Sequence, residues 1–182
     1  MIRGDSTEYE LIQKWCETSP WKGKEFATSV EIGIREGMGT KIILDTFKPH
    51  IHIGIDPYGN LEYQHYDSSG AYRCDYTDDM YHQMMIDFKD YSNFQMYKMT
   101  DVDFMSRHHF MGPYHFVHFD GPHMTKDVIR EAVHFADRAE VGTRFVFDDY
   151  PKYNMSHIAD MLGYWNFRIL EKGSNKICLE KQ

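Results

Sequence analysis

VEIGIREGMGT, residues 30–40, is the segment that is most informative about the fold. An apolar strand ends at Gly33, two further glycines follow at Gly37 and Gly39, and a helical pattern begins at Met38. Glycines at such a junction let the backbone turn sharply and approach a ligand closely, and the free N–H groups of the helix start add a polar cradle. The stretch therefore predicts a ligand-binding strand–loop–helix unit, with a tight turn that binds nothing as the alternative.

Outward from this stretch, short apolar runs alternate with longer helix-like stretches. This alternation is typical of a parallel sheet flanked by helices, an α/β fold. The predicted strands are 29–33, 51–56, 94–99, 114–120, 143–149, 165–170 and 176–180, and the predicted helices are 8–17, 38–47, 75–91, 124–139 and 154–162. Residues 57–74 are predicted to form a loop, and EKGSN, residues 171–175, to join the last two strands as a hairpin.

The composition favours one domain, residues 1–182, in which residues 1–28 form a short N-terminal extension. A net charge of −8 argues against binding to duplex nucleic acid, which requires lysine and arginine at phosphates. No apolar run approaches the roughly 18 residues of a membrane span, and the N-terminus lacks the apolar core of a signal peptide. Three widely spaced cysteines favour a reducing, cytoplasmic setting over a disulfide scaffold.

The glycine spacing discriminates between ligands. A dinucleotide fingerprint reads G-x-G-x-x-G, whereas this chain reads E-x-G-x-x-x-G-x-G, with Glu31 two residues before Gly33. That pattern resembles motif I of the class I methyltransferases that use S-adenosylmethionine. Asp56 ends the second strand, where a carboxylate can accept hydrogen bonds from both ribose hydroxyls of a nucleoside. Dinucleotide dehydrogenases carry an acid at the same place, so Asp56 does not separate the two classes.

Carboxylates also end two later strands, in FVHFDGPH (116–123) and FVFDDY (145–150). If these strands are neighbours, Asp120 and the pair Asp148–Asp149 lie close together and repel one another. A hard divalent cation, Mg²⁺, Mn²⁺ or Ca²⁺, would remove that repulsion. Adjacent strand residues point to opposite faces, so one of Asp148 and Asp149 would face the ion. Capping of the following helices is the alternative role.

Motif I, GIDPY, DGPH and DDY occur in an order that resembles the methyltransferase family of macrocin-type sugar O-methyltransferases, with its cephalosporin-hydroxylase-like branch. The resemblance covers about residues 28–182. It implies a Rossmann-like three-layer sandwich with a seven-stranded sheet in the order 3-2-1-4-5-7-6 and an antiparallel strand 7. It implies S-adenosylmethionine as cofactor. The residues that would contact its methionine part are Glu31, Gly33, Gly37 and Gly39, while Asp56 would bind the ribose and Asp101 would lie near the adenine.

The same resemblance implies metal-binding acids at Asp120, Asp148 and Asp149 and an active-site histidine at His123. The implied activity is methyl transfer to a hydroxyl of a small molecule or sugar. A metal held by Asp120 and by Asp148 or Asp149 would bind the hydroxyl and lower its pKa, and His123 would accept its proton. Asp120 and His123 are therefore the predicted catalytic residues. Because the sequence before motif I is short, a second subunit could complete the site, which makes a homodimer one expectation.

Three other functions stay open at this point. An NAD(P)-dependent oxidoreductase could use a similar sheet, although the glycine spacing and the terminal hairpin count against it. A non-catalytic cofactor-binding module would not need the acids at the strand ends. A metal-dependent hydroxylase or hydrolase could use the three acids but would not need the glycine loop.

Overall fold

The computed structural model describes residues 2–4, 6–59, 61–67, 70–73 and 76–182, without the side chains of Ala71 and Tyr72. The strands are β1 (Thr28–Ile32), β2 (Ile51–Ile55), β3 (Glu62–Gln64), β4 (Ala71–Arg73), β5 (Phe94–Tyr97), β6 (Tyr114–Phe119), β7 (Ala139–Phe147), β8 (Phe167–Lys172) and β9 (Ile177–Lys181). The helices are α1 (Tyr9–Glu17), α2 (Met38–Ile42), α3 (Asp78–Asp87), α4 (Asp101–Arg107), α5 (Thr125–Ala136) and α6 (Met155–Leu162).

Seven of these strands form one sheet in the order β5-β2-β1-β6-β7-β9-β8. Counted along the chain within the sheet, this is the predicted order 3-2-1-4-5-7-6. The pairs from β5 across to β7 are parallel, and β9 runs antiparallel to both of its neighbours. The prediction of a Rossmann-like α/β sandwich with an antiparallel seventh strand is therefore confirmed.

Alternation along the strands separates two layers of side chains. One face carries the largest apolar cluster, in which α5 and α6 pack on strand residues such as Val30, Val117, Phe119, Phe145 and Phe147. The opposite face packs against α1 and a π-helical turn, Ile43–Phe47, that continues α2. Polar side chains are also buried in the strands on this second face, namely Ser29, Glu31, His52 and His118.

The first 28 residues contribute to the core through α1, whose Ile12, Trp15 and Cys16 are buried. The Arg144 guanidinium donates hydrogen bonds to the Trp15 carbonyl at 2.6 Å and to the Thr18 carbonyl at 3.0 Å. These contacts fix α1 against β7. Among the described residues, no helix has the length and apolar character that crossing a membrane requires.

One local prediction was wrong. Within 57–74, predicted as a loop, β3 and β4 pair as a small antiparallel sheet outside the main one. After β5, the chain also forms α4, a helix that the sequence analysis did not predict. The Thr100 hydroxyl accepts a hydrogen bond from the Asp103 N–H at 3.1 Å, which caps this helix, and Asp101 and Asp103 suit its positive N-terminal end.

Gly33 offers a test of this packing, because it has a φ of +82° and an added Cβ would lie 2.0 Å from the Asp120 carbonyl oxygen. We expect Gly33→Ala to lower the free energy of unfolding by more than about 2 kcal/mol. The alanine would have to adopt a strained positive φ, and the backbone at Asp120 would also have to move away from the new Cβ. Gly23→Ala is the matched control, because Gly23 has a φ of +65° with nothing within 4 Å. Urea unfolding of both variants measures the difference, and equal losses would contradict the packing argument.

Candidate active site

A cavity of about 450 Å³ lies beyond the carboxyl ends of β1, β2 and β6. The sheet order reverses between β1 and β6, which is where open α/β sheets bind their ligands. Hydrogen bonds join the ends of these strands: Gly33 N–H donates to the Ile55 carbonyl and Asp120 N–H to the Ile32 carbonyl, both at 2.9 Å. Four of the residues predicted as site residues line this cavity, namely Gly33, Asp56, Asp101 and Asp120.

Asp56 holds the loop after β1 in place. One carboxylate oxygen, Oδ2, accepts hydrogen bonds from the N–H groups of Ile34 at 2.9 Å and Arg35 at 3.1 Å, and Oδ1 accepts from Tyr58 at 2.9 Å. Burial raises the pKa of Asp56, and these three hydrogen bonds act in the opposite direction. The side chain is only 2% exposed, and its remaining acceptor capacity lies at Oδ1. Its predicted role at the ribose stays a prediction.

Glu31 lies in a buried polar network directly beneath the same loop. It accepts hydrogen bonds from His118 Nδ1 at 2.8 Å and from the Thr40 hydroxyl, and His52 Nε2 lies 3.8 Å away. Burial opposes its ionisation, but the contacts with His118 and His52 hold its pKa at about 2. The Ser29 hydroxyl in turn pairs with His52 Nδ1 at 2.8 Å. The ionised Glu31 carboxylate is therefore held in a fixed position next to the loop.

Gly37 and Gly39 of the loop each allow the close approach of a different neighbour. A Cβ on Gly39 would lie 2.1 Å from the Glu31 carboxylate, so Gly39 lets α2 approach the buried network. A Cβ on Gly37 would lie 2.5 Å from the Phe88 ring, so Gly37 packs against the end of α3. Glu31, Gly33 and Gly39 line a second, small polar cavity of about 30 Å³, and Gly37 does not.

Asp101 begins α4 at the edge of the large cavity. Its carboxylate forms an ion pair with Arg130 at 2.8 Å, and the guanidinium also contacts Asp127 at 2.8 Å. Apolar side chains complete this part of the wall, and they are Ile32, Ile55, Leu61, Val102 and Met124. An apolar wall with a few polar groups is the usual lining of a small-molecule site.

Asp120 and His123 form a contact at the end of β6. Asp120 Oδ1 lies 3.7 Å from His123 Nε2, and Asp120 lines both cavities. His123 is 2% exposed and lies behind the cavity wall formed by Pro122 and Met124. Burial and the neighbouring His65 lower the pKa of His123 to about 4, so its ring is neutral at pH 7.

The three acids that were predicted to share a metal ion have different partners. Asp148 is 1% exposed and forms an ion pair with the buried Lys176, and it accepts hydrogen bonds from Asn175 at 2.7 Å and the Asp149 N–H at 2.8 Å. The Asp149 carboxylate instead contacts Lys152 at 3.0 Å. Among the described residues, the three carboxylates do not form one set of closely spaced donors.

The donors form two other groups, each with ligand atoms within 4.8 Å of one another. One is His118 with Asp120 and Asp148, in which Lys176 already compensates the buried charge. The other is His65 with His123 and Asp149. Sequence reasoning missed His65, which follows β3 in the stretch predicted as a loop and lines the large cavity. The run EYQHY, residues 62–66, in which His65 lies between two tyrosines, is the signal that could have found it.

Comparison with known proteins agrees with this geometry. A family model described as a methyltransferase domain matches residues 30–150. No curated protein matches the chain significantly.

Solved structures with the same fold include a Streptococcus mutans protein in complex with SAH (TM-score 0.62, 11% identity, all of both chains). The ribosomal protein L11 methylase of Lactobacillus delbrueckii subsp. bulgaricus matches with a TM-score of 0.62 and 12% identity, over all of this chain and 82% of that one. The N-methyltransferase NodS of Bradyrhizobium japonicum matches with a TM-score of 0.55 and 9% identity, over 96% and 94%.

Glu31→Gln tests the buried network. Its folded pKa of about 2 lies below the ordinary value of 4.5, so the ionised carboxylate stabilises the fold above pH 4.5 and the stabilisation is lost as pH falls towards 2. We expect the variant to lose about 3 kcal/mol of unfolding free energy at pH 7. The difference in unfolding free energy between the variant and wild type, the stability gap, should narrow below pH 4.5. Urea unfolding between pH 3 and 7 measures it, with the exposed Glu25→Gln as control. A gap independent of pH would contradict the assignment.

Proposed function

Because the chain belongs to the methyltransferase-domain family and is therefore an S-adenosylmethionine-dependent methyltransferase, we propose that its acceptor is a hydroxyl of a small molecule or sugar. The observation that carries this proposal is the position of Asp120, which lines both the large cavity and the small polar one. A hydroxyl becomes a good nucleophile only as it loses its proton, so an acceptor of this kind needs a base at the site. Family membership removes the nicotinamide-dependent oxidoreductase from consideration.

The chain's residues fit the cofactor. The large cavity, at about 450 Å³, is within the usual range for such ligands, and Gly33 and Asp120 lie where it meets the small polar cavity. When bound, S-adenosylmethionine supplies a methyl group on a sulfonium centre. We assign its methionine part to the loop that carries Gly33 and Gly39 next to Glu31, its ribose to Asp56 and its adenine to the wall beside Asp101. Gly37 supports this loop from the side of Phe88.

Asp120 accepts the proton of the acceptor hydroxyl in this proposal. We assign His123 a positioning role beside it: the His123 Nε2 lies 3.7 Å from Asp120 Oδ1, which is longer than a direct hydrogen bond. Holding the acceptor in line with the methyl group supplies much of the rate, because methyl transfer is a single displacement. Tyr63 and Gln64 of β3 line the same cavity and offer polar groups to the acceptor.

Metal assistance at Asp120, Asp148 and Asp149 stays a prediction of the sequence, and no step here depends on it. The donor set does not fit a magnesium ion, because Lys176 already neutralises Asp148 and because Asp149 does not group with Asp120 and Asp148 among the described residues. A homodimer and a cytoplasmic location also stay predictions.

Asp120→Asn tests the assignment of the base. We expect kcat to fall about 100-fold or more, because the amide cannot accept the proton, while the affinity for S-adenosylhomocysteine stays within about threefold. Turnover is measured with methyl-labelled S-adenosylmethionine and a panel of phenols, catechols and sugars. Asp90→Asn, an exposed site remote from the cavity, is the matched control.

Two results would contradict this proposal. One is an Asp120→Asn enzyme with the kcat of the wild type on a hydroxyl acceptor. The other is wild-type enzyme that methylates amines from a parallel panel and none of the hydroxyl compounds.

A further inference from the structure

His65, His123 and Asp149 come together from three separate parts of the chain. His65 follows β3, His123 follows β6 and Asp149 follows β7, yet one ligand atom from each lies within 4.8 Å of the others. The His123 N–H donates to the His65 carbonyl at 2.8 Å, and the two ring centroids are 5.0 Å apart. The backbone itself therefore fixes the two imidazoles beside each other.

The two ring nitrogens of His123 have different surroundings. His123 Nδ1 is buried and has no hydrogen-bond partner among the residues that the structure describes. The other ring nitrogen, Nε2, faces the Asp120 carboxylate at 3.7 Å. A histidine that binds a metal through one nitrogen usually directs the other towards a carboxylate or carbonyl, and this pairing orients the ring. The environment of His123 has that arrangement.

The ligand types select the kind of ion. Two imidazoles and one carboxylate suit borderline transition metals such as Zn²⁺ and Fe²⁺, whereas Mg²⁺ prefers oxygen ligands throughout. Metal–nitrogen bonds of about 2.0–2.1 Å place tetrahedral donors about 3.4 Å apart. Because the present donor atoms lie within 4.8 Å of one another, they would move together by no more than about 1.4 Å to close on an ion.

Lys152 and Tyr66 currently contact the third donor. Lys152 Nζ lies 3.0 Å and the Tyr66 hydroxyl 2.9 Å from Asp149 Oδ2. The Lys152 side chain is 50% exposed, so its ion pair contributes little and the ammonium can move into solvent. The Tyr66 hydroxyl can remain as a hydrogen-bond donor that orients the carboxylate.

We infer that His65, His123 and Asp149 bind one divalent transition-metal ion of the zinc or ferrous class, which joins the β3 segment to the ends of β6 and β7. His65 lines the large cavity, so the ion fixes one wall of the site. This site differs from the three-carboxylate site that the sequence predicts, and it does not depend on the identity of the methyl acceptor.

The test is calorimetric titration of the metal-free full chain with Zn²⁺ alone and with Mg²⁺ alone, followed by the visible absorption of the Co²⁺ form. We expect one equivalent of Zn²⁺ to bind and Mg²⁺ not to compete. His65→Gln should weaken Zn²⁺ binding about 100-fold or more and remove the Co²⁺ bands of a nitrogen-ligated site, since even orienting partners are worth 10–100-fold. His109→Gln, at an exposed histidine, should leave both unchanged.

Circular dichroism and urea unfolding of each variant report folding separately from metal binding. If His65→Gln does not fold, Asp149→Asn takes its place as the test variant, with the same expected loss. The inference is overturned if wild type binds no Zn²⁺, if the folded variant binds it as tightly as wild type, or if Mg²⁺ displaces it. Those results would leave the methyl-transfer proposal intact.

Discussion

The buried carboxylate of Glu31 is the constraint on which the rest of the site depends. It lies in β1, accepts hydrogen bonds from His118 of β6 and Thr40 of α2, and lies 3.8 Å from His52 of β2. An unpaired charge at this depth would cost several kcal/mol, so these elements must keep their positions for the charge to be tolerated. One side chain thus fixes three strands and a helix relative to one another.

Asp56 extends this constraint to the surface of the cavity. Its hydrogen bonds to the N–H groups of Ile34, Arg35 and Tyr58 join the loops after β1 and β2. The two carboxylates contact different parts of the same loop: Glu31 lies against Gly39 and Thr40, and Asp56 accepts from the N–H groups of Ile34 and Arg35. These hydrogen bonds hold the loops at the edge of the cavity in place before a ligand binds. A preformed site loses less conformational entropy on binding.

The parts of the fold that sequence could predict are those with local signals. Strand periodicity and the Gly33 junction are visible within about ten residues, and the order of the strands followed from a family resemblance. His65 and Lys176 could not be placed in this way, because their partners His123 and Asp148 are distant in sequence. Repulsion among carboxylates favours a metal ion, whereas Lys176, just before the last strand, removes much of that repulsion.

The proposed binding site for S-adenosylmethionine is the loop of residues 30–40 together with the large cavity. Calorimetric titration of the wild-type chain with S-adenosylhomocysteine and with NAD distinguishes it from a dinucleotide site, because the two ligands share adenosine and differ beyond the ribose. We expect micromolar binding of S-adenosylhomocysteine at one site per chain and no binding of NAD. Binding of NAD alone, or of neither ligand, would rule out this site.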